Sequence, residues 1–421
     1  MHEVEPMPAP PQRVVLAALA IPETDWEESL AELERLAETA NGQVIATLTQ
    51  RRTHPDPRSY FGKGKVEEIA ELMQRGDADL LIIDGEVSPS QQRNLEKILE
   101  RQVIDRTGLI LDIFAHRAHT AEGKLQVELA QLEYLLPRLA NMWSHLERIR
   151  GGIGLRGPGE TQIETDRRLV RQRIAVLKEK VDEIRHRREV QRSQRAQANI
   201  PLISLVGYTN AGKSTLLNAL SQAGVFVEDK LFATLDPTTR DVTLPNGTRA
   251  LISDTVGFIR NLPTQLVAAF RATLEEVRSA EILVHVVDAA NPAWVEQEET
   301  VNAVLSELGA GDKPTIMAFN KVDQVEDMDV LRHLAARYPY SVFLEAKRGK
   351  GLVELEDAIV AVLRSRWQDV DLTLPLAAGD LVAEIHARGE VAEEDYAADS
   401  VHLIGRAPAD LAARLRLRAR G

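Results

Sequence analysis

The sequence predicts an α/β protein of several domains, and three observations carry that expectation. Apolar runs alternate with amphipathic helical stretches from Val14 to Asp105. Two helical stripes then flank a glycine-rich loop. Finally, a strand, a tight loop and a helix in succession carry Gly207-Tyr208-Thr209-Asn210-Ala211-Gly212-Lys213-Ser214-Thr215. Strand–helix alternation implies a parallel sheet with helices around it, and 421 residues leave room for about two to four domains.

Composition excludes several classes. The chain has no cysteine, so it has no disulfide framework, thiolate metal site or cysteine nucleophile. No apolar run approaches the ~18 residues that cross a bilayer, and the first eleven residues are acidic and proline-rich. The expectation is a cytoplasmic protein without signal peptide or membrane insertion, with peripheral membrane association as the most contact it would make. A net charge of −13 conceals one basic segment, because residues 166–195 hold eleven Lys or Arg against five acids.

The first region reads as strands at Val14–Ala20, Val44–Thr49, Leu80–Asp84 and Val103–Asp105. Helices are expected at Asp25–Ala40, capped by Thr24 or Asp25, and at Lys63–Arg75 and Ser88–Arg101. The basic, aromatic stretch from Arg51 through Tyr60, Phe61 and Lys65 is either a phosphate- or RNA-binding loop or simply a turn into a helix. Next, Leu125, Leu129, Leu132, Leu136, Leu139, Trp143 and Leu146 form a 4-3 stripe that Pro137 should kink, and Val170, Ile174, Leu177, Val181 and Ile184 form a second. Together they predict an antiparallel helical hairpin. Five glycines between Gly151 and Gly159 exceed what a helix reversal needs, and ordering them costs backbone entropy. Flanked by Arg148, Arg150, Arg156, Arg167 and Arg168, that loop suits a tip ordered against a phosphate-rich partner.

The strand Leu202–Val206 leads into the pattern G-x-x-x-x-G-K-S, a P-loop. Backbone N–H groups can turn around phosphates, Lys213 can place its ammonium between the terminal two, and the Ser214 hydroxyl can ligate Mg²⁺. The helix N-terminus adds a favourable dipole. Asp254-Thr255-Val256-Gly257 ends a second apolar strand; its carboxylate can hold a water on Mg²⁺ and the Gly257 N–H can meet a γ-phosphate. Asn320-Lys321-Val322-Asp323 follows a third strand, and one carboxylate at Asp323 can accept both the N1–H and 2-amino protons of guanine. Three motifs in this order, each at a strand end, indicate a Mg²⁺-dependent GTPase binding GTP and GDP. The groups expected at the chemistry include Lys213 and Gly257.

The P-loop, Leu231-Phe232-Ala233-Thr234-Leu235-Asp236-Pro237-Thr238-Thr239, Asp254–Phe258, the stretch Thr120–Leu132 and the glycine-rich loop together resemble the HflX family of translational GTPases. The resemblance covers roughly residues 14–363. It implies an N-terminal α/β domain with a helical hairpin, a Ras-like GTPase domain, binding to the large ribosomal subunit and its RNA, and a role in separating stalled or idle ribosomes under stress. On that basis Arg150, Gly151, Gly152, Gly154, Arg156, Gly157 and Gly159 belong to a ribosome-probing tip. Phe232 to Asp236 would line the nucleotide, and Thr234 would join Ser214 on Mg²⁺ and take part in catalysis, with Thr238 and Thr239 as rivals. The sequence departs from the usual pattern twice. Phe258 stands where many GTPases carry a water-orienting glutamine, which predicts slow intrinsic hydrolysis accelerated by the partner. Glu345-Ala346-Lys347 replaces a Ser-Ala base loop, leaving the Ala346 N–H as the expected donor to guanine O6.

The expected domains are residues 1–119, an N-terminal α/β domain; 120–197, the hairpin with its loop at 151–160; 198–365, the P-loop GTPase domain; and 366–421, a small α+β C-terminal domain after a linker at 364–371. A monomer is expected. Two other readings stay open on the residues alone: an RNA remodelling enzyme with ATP on the N-terminal domain, and a signalling GTPase whose hairpin binds a protein.

Overall fold

A computed structural model describes residues 11–139, 158–197, 200–222, 231–260 and 271–419, apart from Glu23, Asp236, Asp327 and Pro339. The apolar run Gln12–Ala20 (β1) is buried from Val14 onward, as a strand covered on both faces must be. It pairs in parallel with Gly42–Arg51 (β2) on one side and Leu80–Asp84 (β3) on the other, and Gln102–Asp105 (β4) completes the order β2-β1-β3-β4. Between the strands run Trp26–Thr39 (α1), Lys63–Arg75 (α2) and Pro89–Leu99 (α3). Ser88 and Gln91 form a capping box ahead of α3, with Pro89 at its first position. Asp25 occupies the N-cap of α1 but makes no capping bond.

Immediately after β4 comes a helix that the sequence reading passed over, Arg106–Arg117 (α4). Asp105 caps it by accepting the Gly108 N–H, and Leu109, Ile110, Leu111, Ile113 and Phe114 are buried. Ala121–Leu135 (α5) follows, capped by Thr120. Helix α5 ends at Leu135, a turn over 136–138 holds Pro137, and Leu139 is again helical; the continuation in which a kink is expected lies outside the described residues. Pro158–Gln197 (α6) is the second long helix. Leu125, Leu129, Leu132 and Leu136 pack with Val170, Ile174, Leu177 and Val181, and Arg173–Glu128 and Lys178–Glu133 pairs flank them. Trp143, Leu146 and the turn between the helices lie outside the described residues, so the hairpin's sense stays an expectation.

The second sheet has the order β10-β9-β8-β5-β7-β6: Leu202–Val206 (β5), Thr238–Thr243 (β6), Arg249–Asp254 (β7), Ile282–Asp288 (β8), Thr315–Asn320 (β9) and Ser341–Phe343 (β10). All pairings are parallel except that of β6 with β7. Lys213–Ser221 (α7), Arg271–Ser279 (α8), Trp294–Glu307 (α9), Met328–Arg337 (α10) and Leu352–Ser365 (α11) surround it. The expected linker at 364–371 is shorter than the composition suggested, since α11 runs to Ser365 and Gln368–Pro375 (β11) starts three residues later. With Gly379–Arg388 (α12), Glu390–Tyr396 (β12), Ser400–Ala407 (β13) and Ala409–Ala419 (α13) it builds an antiparallel sheet ordered β11-β13-β12, and the acidic stretch of this region, Glu390 to Asp395, falls in the edge strand β12. Among the described residues no helix is long and apolar enough to cross a membrane.

One apolar cluster runs between the first two sheets. It joins Leu33 and Leu36 of α1, Ile110 and Phe114 of α4, and Tyr208, Phe232 and Phe258 beside the P-loop.

Candidate active site

Strand β5 delivers the P-loop to one end of the second sheet, where β7 and β9 also end in Asp254 and Asn320. Gly207 (φ 148°) and Gly212 (φ 99°) occupy backbone conformations that favour glycine. There is also no room for side chains, because a Cβ would come within 2.2 Å of the Val286 carbonyl and of Asn320 Nδ2 respectively. Lys213 is buried, and its ammonium donates to the carbonyls of Gly207 (3.1 Å) and Tyr208 (2.8 Å). Burial pushes its pKa down to about 8, opposed by the charge of Asp254. At the start of α7, Ser214 Oγ lies 2.6 Å from Thr234 Oγ1 and 2.6 Å from Asp254 Oδ2. Asp254 is 1 % exposed, its Oδ1 is buried without a hydrogen-bond partner among the described residues, and burial raises its pKa against the pull of Lys213. Two hydroxyls and a carboxylate with spare lone pairs form an all-oxygen donor set, which suits a hard divalent cation such as Mg²⁺. Thr238 and Thr239 begin β6 instead, and Thr239 Oγ1 is directed to Ser253.

The segment after Asp254 is laced to the P-loop. Thr255 Oγ1 donates to the Leu205 carbonyl at 2.7 Å. The Phe258 N–H donates to the Gly207 carbonyl at 3.1 Å, and the Thr209 N–H to the Phe258 carbonyl at 2.7 Å. At Gly257 a Cβ would approach Thr209 Cα to 2.6 Å, so this contact tolerates only glycine. Phe258 is 2 % exposed and packed in the shared apolar cluster, where it has no polar atom to offer a water. Asp236 lies outside the described residues, as do Arg150 through Gly157, while Gly159 falls in the first turn of α6.

At the far end of the site, Asn320 is 3 % exposed, donates to the Ala211 carbonyl at 2.9 Å and accepts the Ala346 N–H at 3.0 Å. The Ala346 N–H, expected to face a guanine carbonyl, is thus engaged by Asn320 and ties the two loops together. Lys321 takes a left-handed conformation (φ 62°) and pairs with Asp288 at 2.7 Å. Glu345 and Lys347 flank Ala346 in a short 3₁₀ turn (Ala346–Arg348), and Glu345 pairs with Lys350 and Arg348. Val322 and Asp323 lie in the turn after β9, with Arg348 3.7 Å from Asp323.

The basic loop of the first region does not present its aromatics. Tyr60 and Phe61 are 5 % and 0 % exposed, and Tyr60 donates to the Asp84 carbonyl, so neither ring is available for stacking on a base. What sequence reasoning missed is a polar seam behind the P-loop. The Tyr208 hydroxyl donates to Glu32 at 2.5 Å and accepts the Arg260 N–H at 2.8 Å, while Arg106 pairs with Glu32 and with Asp84. The available signal was Tyr208 itself, a large aromatic in a loop whose phosphate-binding role needs only backbone.

Three family models match in succession: the GTP-binding GTPase N-terminal family over residues 27–115, the GTP-binding GTPase middle region over 117–195, and the 50S ribosome-binding GTPase family over 202–321. The GTPase HflX of Lacrimispora saccharolytica is 45% identical over 405 residues, covering 96% of this chain and 95% of that protein. The GTPase HflX of Escherichia coli K12 is 45% identical over 384 residues, 91% of this chain and 90% of the relative. Among solved structures, the SsGBP and GDP complex is 26% identical, covers 83% of this chain and 98% of that one, and has a TM-score of 0.49. Identity of this extent reaches well beyond the P-loop into the first sheet and the long helices, and it establishes that the chain belongs to the HflX family of GTPases and hydrolyses GTP.

Proposed function

We propose that the protein is a nucleotide-gated factor that engages the large ribosomal subunit through its RNA and promotes separation or rescue of stalled or idle ribosomes under stress, working as a monomer in the cytoplasm. The observation that carries the nucleotide half is the meeting of Ser214, Thr234 and Asp254 within 2.6 Å contacts beside Lys213. Ser214 and Thr234 would hold Mg²⁺ directly and Asp254 through a water; the ion, when bound, supplies charge that offsets the phosphates. Lys213 and the P-loop amides bind the phosphates, Gly257 meets the terminal one, and Asp323 reads guanine beside Asn320, Lys321 and the 345–347 loop. Because Phe258 is buried and apolar, orientation of the attacking water is left to groups outside the chain, and intrinsic turnover is slow. Release of the γ-phosphate frees Thr234 and Gly257, and the switch segments relax.

The ribosome half is supported by the family that residues 202–321 match, whose description names 50S binding. It is also supported by the basic stretch 166–195 and the five-glycine loop preceding it. Phosphate contacts from such a segment make binding steeply salt-dependent. The test is GTP turnover with and without purified large subunits, for the full chain and for a chain lacking residues 151–159. Stimulation that vanishes with the loop while intrinsic turnover persists is the expected result. Equal turnover with and without subunits would eliminate the partner and leave the GTPase standing.

A further inference from the structure

Glu32 is 3 % exposed, on a helix that otherwise buries Leu33 and Leu36. A carboxylate in such a place is costly unless it is paired and hydrogen-bonded. One partner is the Arg106 guanidinium, itself 2 % exposed and shared with Asp84 at 2.9 Å and with the Ser29 carbonyl and hydroxyl at 3.3 Å. The other is the P-loop hydroxyl of Tyr208 at 2.5 Å. That hydroxyl is doubly used, since it also accepts the Arg260 N–H, three residues beyond Gly257. The Arg260 side chain reaches back to Asp25 at 2.7 Å, which explains why Asp25 sits at the N-cap of α1 without capping it. On the other switch, Phe232 packs edge-on against Phe114 of α4, ring centroids 4.7 Å apart, and its N–H donates to Thr209 Oγ1 at 2.9 Å. Two residues later Thr234 meets Ser214. Docking of both switches on the first sheet's helices therefore occurs in the same arrangement that brings Thr234, Asp254 and Ser214 together. Among the described residues Arg106 Nε and Arg260 Nη2 are buried without hydrogen-bond partners, so the seam is not saturated.

We propose that Glu32 is a positioning residue for GTP: by holding the Tyr208 hydroxyl, and through it the backbone at Arg260, it makes the N-terminal layer favour closed switches, so that preference for GTP over GDP depends on a domain that does not touch the nucleotide. GDP binding draws on the P-loop and the guanine tetrad and does not require closed switches. The proposal rests on the placement of Thr234 at the metal.

The test uses the full chain with Mg²⁺ and measures dissociation constants for GDP and for a non-hydrolysable GTP analogue, in the native protein and in Tyr208→Phe, Glu32→Ala, their double variant and Thr234→Ala. A hydrogen bond to a buried charge corresponds to roughly tenfold or more in an equilibrium. Tyr208→Phe should weaken the GTP analogue about tenfold while GDP stays within about twofold, and the double variant should be no worse than the weaker single one. Equal loss for both nucleotides, or none for either, overturns the proposal, because a merely structural role would move both together. Should Glu32→Ala not fold, Tyr208→Phe decides by itself, since it removes one oxygen and keeps the ring. If Thr234→Ala keeps full GTP preference, the metal placement is wrong and the proposal falls with it; if Thr234→Ala loses preference and Tyr208→Phe does not, only the role of Glu32 falls.

Discussion

The P-loop has two faces, and they are built on different principles. Toward the nucleotide it offers glycine backbone, Lys213 and Ser214, completed by Asp254 and Asn320 from the ends of β7 and β9, and most polar atoms there find partners inside the site. Toward the first sheet it offers Tyr208, with Phe232 and Phe258 beside it, meeting residues of α1 and α4 far away in sequence, 176 positions for the Tyr208–Glu32 hydrogen bond. The first face is specified locally: each motif carries its own chemistry. On the second face an apolar cluster encloses a paired charge, and the geometry is specified by long-range burial. A GTPase site can thus keep its chemistry in the motifs while its conformational bias is set by residues no nucleotide motif includes.

The comparison is broken most severely by Arg106→Met. Removing the guanidinium leaves Glu32 and Asp84 facing each other's charge in a buried seam, with exposures of the paired side chains at 4% and 8%. Breaking such a pair costs about 3–5 kcal/mol, so chemical denaturation should show a loss of that order; a loss under about 1 kcal/mol would mean water reaches the seam. The opposite face is probed by Asp323→Asn, which replaces an acceptor pair by one acceptor and one donor. Guanine affinity should fall about a hundredfold, near 3 kcal/mol, with xanthine nucleotides favoured instead. Stability should stay within about 0.5 kcal/mol, because the site is a partly exposed turn. Unchanged base preference would remove Asp323 from the base-reading role.

How much of this was legible in the sequence follows the same division. The strands Leu80–Asp84, Leu202–Val206 and Ile282–Asp288 lie where their apolar runs place them, since continuous apolar stretches are what strands buried on both faces require. Helix α4 was not legible, because its core residues crowd nearly all of one short stretch and give little amphipathic contrast. The meeting of Ser214 with Asp254 followed from motif spacing, but that Thr234, and not Thr238 or Thr239, lies beside Ser214 depended on where β6 begins. Glu32 and Arg106 gave no sign, as each is an ordinary charged residue until the fold removes water from around it. The linker at 364–371 misled for a related reason: alternating acidic and apolar residues in Asp369–Leu374 are an edge strand with one solvated face.

The smallest expected effect concerns a buried titratable group that, unlike Glu32, has no ionic partner among the described residues. His285 lies on β8 opposite Val206 and Met317, is 1 % exposed, and its Nδ1 makes no hydrogen bond among the described residues. Burial, with a smaller push from the Lys213 charge, lowers its pKa from 6.5 to about 3. The folded state therefore holds a neutral ring, whereas the unfolded chain takes up a proton below about pH 6.5. The associated stability is fully present above that pH and is lost as pH falls toward 3, on the order of 1 kcal/mol per pH unit. Between pH 6.5 and 5 most carboxylates are still ionised in both states, and the raised Asp254 is common to both proteins, so the difference from a variant lacking the ring isolates the histidine. His285→Leu should flatten the fall in stability there relative to the native protein, measured by denaturation at each pH. Parallel curves for the two proteins would mean that the folded state accommodates the protonated ring, and that charge without a partner is tolerated behind the nucleotide face as it is not at the Glu32 seam.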